Sequence, residues 1–332
     1  MISKTLSTAT EAAAAPTAAS QRRPWQSRAF AVVLCTLIAA AVVWGLRTDG
    51  PAAWAVWQST EVRWAWVAVA TALVLVTNVI WVLGWRRLLS DLKVPAPLLD
   101  LLRIFAISNL GRYLPGGKAW QLGLVGVLST ERDLPAAVLA GTSLIHGVVG
   151  IIVGAALLAA TGGASLQLPP SWMALPILGI GALLAAPRAL RAWPALRTLV
   201  ARFLPRIDTV TVSTMTILVA SAAASWLGWG AALYALARAL LPDPVASLGT
   251  YVAAWIGPAL AGLIAVMVPA GLGVRDALMQ ATLTTAGLGA GEAIVIALVA
   301  RVWSAIVELV PAVVLLGMRR AKNSPASNED QR

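Results

Sequence analysis

The chain of 332 residues is 59% hydrophobic, only 12% charged, and carries a net charge of +11. Soluble domains hold roughly 25% charged residues, so a soluble globular fold is excluded. With no compact basic domain to hold a nucleic acid, the excess Arg and Lys belong at a membrane surface.

Residues 1–28 are rich in Ala, Ser and Thr and carry Arg22, Arg23 and Arg28. They read as a disordered cytoplasmic tail. The apolar run 29–46 is long for a signal-peptide core of roughly 7–15 residues and ends without a small-x-small cleavage site, so a retained first span is expected. Cys35, the single cysteine, lies in that run and leaves neither a disulfide framework nor a metal cluster to assign.

Further spans are expected at 64–85, 136–161, 172–187, 212–240, 248–268 and 293–317, with 172–187 short and containing Pro176. Two more segments, 104–127 and 276–291, are diluted by Gly and polar residues. Charge decides between them. Arg22, Arg23 and Arg28 at one end and Arg319, Arg320 and Lys322 at the other place both termini in the cytoplasm, which requires an even number of crossings. If 104–127 does not cross, Arg86, Arg87, Lys93, Arg103 and the five arginines of 188–206 all fall inside. The loops 162–171 and 241–247, free of Lys and Arg, then fall outside. The sequence therefore predicts an all-α polytopic integral membrane helix bundle of about eight spans over 29–318. In it 104–127 is re-entrant or interfacial, 276–291 crosses, and 319–332 is a disordered cytoplasmic tail. Trp44, Trp54, Trp57, Trp64 and Trp66 around the first external loop, with Trp25 and Trp85 at the inner ends, fit an aromatic belt. Trp81, Trp226, Trp229 and Trp303 read as apolar filling. The connection 188–206 reads as an amphipathic helix on the inner leaflet.

Two breaks hold the candidate chemistry. In 107–121, Pro115 must end or bend a helix, and Gly116 and Gly117 permit a tight turn. A half-helix starting near Lys118 aims unpaired amides at the break, which is an anion site. Lys118 and Arg112 add charge there, and Asn109, Tyr113 and Gln121 add polar groups. The bland alternative is a loop whose cations meet lipid headgroups. The second break has Pro269, Gly271 and Gly273 followed by Arg275 and Asp276. Arg275 there is either a site cation or a positive-inside anchor, and Asp276 either a site residue or a first-turn helix charge. Paired breaks in the two halves of a membrane protein point to a buried binding site. In the final span Arg301 and Glu308, about two turns apart with Ser304 between, share a face. They form either a structural ion pair or part of a polar cavity. His146, the one histidine, reads as packed or cavity-lining, and Asn78 as bonding a neighbouring helix. No catalytic triad, phosphate loop or metal-ligand spacing stands out. No catalytic, cofactor or metal role is therefore expected.

The stretches Asn109–Lys118 and Val268–Asp276, with Arg301…Glu308, resemble the lysylphosphatidylglycerol synthase transmembrane-region family of flippase-like membrane proteins over roughly 30–318. Asp276 stands where the family pattern has Glu, and Ala270 where it has Gly. The resemblance implies a re-entrant bundle that handles amphipathic lipids, either aminoacyl-phospholipids or polyprenyl-linked sugars, without the aminoacyl-transfer domain of larger members. The expected function is binding or flipping an anionic lipid, with membrane lipids as partners and no nucleic acid. The alternative is an accessory subunit beside an envelope glycosyltransferase or lipid-modifying enzyme. A glycosyltransferase proper comes last, since only Asp91, Asp100 and Asp276 offer carboxylates.

Overall fold

The computed structural model describes residues 51, 54–113, 117–162, 174–201, 204, 206–243, 246–264 and 274–322. From Trp64 onward they form α1 (Trp64–Asp91), α2 (Leu98–Asn109), a 3-10 turn (Leu110–Tyr113), α3 (Gly117–Thr130), α4 (Ala136–Gly162), α5 (Ala174–Ala192), α6 (Pro194–Ala201), α7 (Val212–Leu240), α8 (Leu248–Ile264), α9 (Val274–Thr285) and α10 (Ala290–Lys322). The described residues contain no strand. Helices α1, α4, α5, α7 and the Ala290–Gly317 part of α10 are long and apolar enough to cross a membrane. In α1 and α4 the apolar residues run around the whole helix, as a lipid-embedded segment requires. Leu175, Ile177 and Leu178 of α5 and Val313 and Val314 of α10 are exposed and form part of the lipid-facing surface.

The long helices fall where hydropathy places them, with shifted ends. Helix α1 runs on through Arg86 and Arg87 to Asp91. Helix α5 continues past 187, with Pro187 inside it, to Ala192. Helix α10 extends to Lys322, into the stretch read as a tail. Among its described residues, the connection 188–206 holds the eight-residue α6 as a separate helix. The reading of 276–291 as one crossing helix needs correction. Helix α9 stops at Thr285, Gly287 turns the chain with φ of 98°, and α10 starts at Ala290. Twelve residues reach about 18 Å at about 1.5 Å each, short of the roughly 30 Å hydrocarbon core. The same arithmetic applies to α2 and α3, of 12 and 14 residues. The expected tail 1–28 and first span 29–46 lie outside the described residues, as do 265–273 and 323–332.

The centre of the bundle is the antiparallel pair α1 and α7, which holds one register throughout. At one end an Arg63 Nη donates to the carbonyls of Leu241 and Pro242, and the Arg63 amide donates to the Ala239 carbonyl at 2.9 Å. Ala70 and Ala235, both buried, belong to one core between the two helices' other contacts. Thr77 then meets Gly228, where an added Cβ would lie 2.0 Å from Thr77 Cγ2. Gly84 meets Ser221, whose Oγ lies 2.2 Å from where a Gly84 Cβ would be. At the far end Asp91 Oδ2 accepts from Thr214 Oγ1 at 2.6 Å and from the Thr211 amide at 3.1 Å, which caps α7. From Thr77 on, each step is seven residues on both helices, with small side chains at the interior contacts. Such spacing lets two backbones close together where the hydrophobic effect supplies no force between helices.

Trp85 departs from the aromatic-belt reading. It is buried, and its indole donates to Thr142 Oγ1 at 2.9 Å. Trp54, Trp57 and Trp64 near the start of α1 are exposed, as a belt requires. Trp303 and Trp226 are more than filling, since their indoles donate to Thr71 Oγ1 at 3.0 Å and to the Gly150 carbonyl at 2.8 Å.

Candidate functional site

Helices α2 and α3 fold back on each other through the 3-10 turn, and two glycines make this possible. A Cβ on Gly111 would sit 2.8 Å from the Gln121 amide nitrogen, and one on Gly117 would sit 2.8 Å from the Arg112 carbonyl oxygen. Both obstacles are backbone, so neither can give way. Gln121 Nε2 donates to Asn109 Oδ1 at 2.6 Å and latches the two arms. Asn109 and Gln121 thus serve hairpin closure, a role that mere polarity in the sequence does not reveal. Pro115 and Gly116 lie outside the described residues, and of Lys118 only the helical backbone is described.

The turn ends on Arg112 and Tyr113, and both reach α10. An Arg112 Nη donates to Glu308 Oε1, and Tyr113 Oη donates to Glu308 Oε2 at 3.0 Å. Glu308 is the buried member, its side chain 4% exposed against 31% for Arg112. Both oxygens of this buried carboxylate are therefore hydrogen-bonded, one to a guanidinium and one to a phenol.

Helix α9 presents a second pair to the same helix. Arg301 Nη1 donates to Asp276 Oδ2, with both side chains largely buried. Arg301 and Glu308 therefore do not pair with each other. Each binds a different broken hairpin, and Ser304 between them donates to the Arg301 carbonyl at 3.0 Å. Asp276 thus lies in the first turn of α9 and also pairs with Arg301 of α10. Arg275, half-buried, lays its guanidinium over the Trp255 ring of α8 at 4.3 Å, a cation–π contact. Trp255 had no signal in the sequence, because only the fold brings α8 over the start of α9. Pro269, Gly271 and Gly273 of this break lie outside the described residues.

The two hairpins converge. Arg275 lies within electrostatic reach of Arg112 and Tyr113 on the first turn and of Arg301 and Asp276. Among the described side chains the cluster holds three guanidiniums (Arg112, Arg275, Arg301) and two carboxylates (Glu308, Asp276). Its walls are Trp255, Tyr113 and the middle of α10.

The family model described as the lysylphosphatidylglycerol synthase TM region matches residues 30–312. The chain belongs to this family. The match takes in both hairpins and the Arg301 and Glu308 face of α10, so every described member of the cluster falls within the lysylphosphatidylglycerol synthase TM region. No curated protein matches the chain.

His146 stands apart from the cluster. It is 1% exposed and stacks on Trp81 with ring centroids 3.9 Å apart, wedged between α1 and α7 beside Gly84.

Proposed function

We propose that this protein binds the anionic headgroup of a membrane lipid between its two hairpin tips and carries that headgroup between leaflets. One observation carries the reading: both hairpins dock on one face of α10, where three guanidiniums and two carboxylates gather among the described side chains. Ionisable groups are costly at membrane depth and mark a ligand or ion path. A phosphate would join them, held by Arg275 and Arg112 and by the first-turn amides of α9, which begins one residue before Arg275. The family's tie to lipid handling supports the same class of cargo. In this reading the chain makes and breaks no covalent bond. It sits in the cell membrane with cytoplasmic termini, and the short α2, α3 and α9 are re-entrant.

The test is headgroup translocation in proteoliposomes, with a fluorescent anionic phospholipid and a zwitterionic one side by side. Arg275→Ala with Lys118→Ala should slow the anionic lipid about tenfold or more, equivalent to about 1.4 kcal/mol, and leave protein yield unchanged. Equal rates for wild type and the double variant would overturn the proposal.

A further inference from the structure

We infer that the chain is an inverted repeat whose two hairpins enter the membrane from opposite sides and dock on one face of α10, so that one cation cluster serves both leaflets. The inference rests on the proposed function for the identity of the cargo alone. The topology stands on contacts.

Sidedness follows from helix ends. The last residue of α1, Asp91, is hydrogen-bonded to Thr211 and Thr214 at the start of α7. Residues 92–210 therefore leave and return on the same side. They contain two long apolar helices, α4 and α5, which cross out and back. Helices α2 and α3 then contribute no net crossing, and they enter and leave on the side where α1 ends. Arg86, Arg87 and the arginines of 188–206 mark that side as the inner one.

The other hairpin obeys the same rule on the other face. Arg63 joins the start of α1 to the end of α7 there. The end of α4 is on that face too, since a Cβ on Gly249 near the start of α8 would lie 3.8 Å from Thr161 Cβ. Tyr251 in the first turns of α8 lies within electrostatic reach of Glu292 in the first turn of α10, so the start of α8 and the start of α10 share that face. Helices α8 and α9 therefore enter and leave on the outer side. The connections they join, 241–247 and 286–289, contain no Lys or Arg.

The halves correspond element by element. Helix α1 has 28 residues and α7 has 29, each followed by a short connection and a broken hairpin. The hairpins occupy 98–130 and 248–285, and each leads within a few residues to a long helix, α4 or α10. Packing is reciprocal: α4 lies on α8 as α10 lies on α2, α3 lies on α4 as α9 lies on α10, and α1 meets α4 as α7 meets α10. The register of α1 against α7, with end-to-end clamps at both ends, is what a two-fold axis in the membrane plane produces. The first-half counterpart of α5 is the expected span 29–46. That segment lies outside the described residues. Among the described residues, α1 and α7 run antiparallel and their hairpins open on opposite sides, so the second half is inserted upside down. Repeats inverted in this way place a site at the midplane and expose it by rocking of one half against the other.

Side-specific labelling with a membrane-impermeant thiol reagent tests this in a Cys35→Ser background, on right-side-out and inverted vesicles. Thr130→Cys at the base of the first hairpin should label from the inside only, and Ala290→Cys at the base of the second from the outside only. Both bases labelling from the same side would overturn the inversion. At the tip of the second hairpin, Val274→Cys, with Ala277→Cys as a second variant, should label from both sides. Labelling of both tip variants from one side only, or from neither, would overturn shared access. None of these readouts needs a lipid substrate, so the topology can stand if the lipid reading fails, and the reverse.

Discussion

Glu308 is the residue on which the first hairpin is anchored to α10, and removing either side of its pair has unequal costs. Arg112→Ala leaves a carboxylate with a 4%-exposed side chain and only the Tyr113 hydroxyl to hold it. Breaking a buried pair in this way costs about 3–5 kcal/mol. Because Arg112 itself is 31% exposed, the lower end, about 3 kcal/mol, is expected. Glu308→Gln is milder. Arg112 keeps its place over the Tyr113 ring, and the new carboxamide still accepts from Tyr113, so about 1–2 kcal/mol is lost. The Arg112→Ala, Glu308→Gln double variant should cost at least about 1 kcal/mol less than the sum, since the second change removes the stranded charge. The assay is reversible SDS unfolding in mixed micelles, followed by tryptophan fluorescence on all four corners of the cycle. Additive effects within about 0.5 kcal/mol would show that the two side chains do not interact and would refute the anchoring argument.

Other consequences can be read from the same geometry. Gly111→Ala should destabilise by about 1–3 kcal/mol, because its Cβ meets the backbone of α3, whereas Gly123→Ala, with nothing within 4 Å, should be neutral or gain up to about 1 kcal/mol. Thermal melts in detergent distinguish the two. At the central interface, Gly228→Ala places a methyl 2.0 Å from Thr77 Cγ2 and should lower stability, with partial recovery when Thr77→Ser removes that methyl. Failure of Thr77→Ser to recover any stability would contradict the close register. Asp91→Ala removes acceptors from Thr211 and Thr214 and should cost about 1–3 kcal/mol, with Asp91→Asn intermediate.

Much of the fold is readable from composition. The long helices α1, α4, α7 and α10 are continuous apolar runs, and hydropathy finds them because lipid selects apolar residues on every face. Their ends are less legible, since Arg86, Arg87 and Asp91 sit within α1 only because α7 offers Thr211 and Thr214 to cap. In 276–291 charge parity asks for a crossing that the chain does not make as one helix. The turn at Gly287, the shortness of α9 and its return beside α10 are tertiary facts with no hydropathic trace. In the site, Arg112, Arg275, Arg301 and Glu308 were visible as charges in apolar context. Their partners were not. Seven-residue spacing suggested Arg301 with Glu308, and the fold instead joins Glu308 to residue 112 and Arg301 to residue 276. Trp255 and the latch between Asn109 and Gln121 depend on backbone proximity that no local pattern encodes.

The account depends most on the claim that the converged tips hold negative cargo. Native mass spectrometry of the protein released from nanodiscs of mixed anionic and zwitterionic phospholipid measures this directly. Wild type should retain an anionic lipid adduct that is lost in Arg275→Gln, while zwitterionic adducts stay the same in both. Identical adduct spectra for the two proteins would contradict the claim.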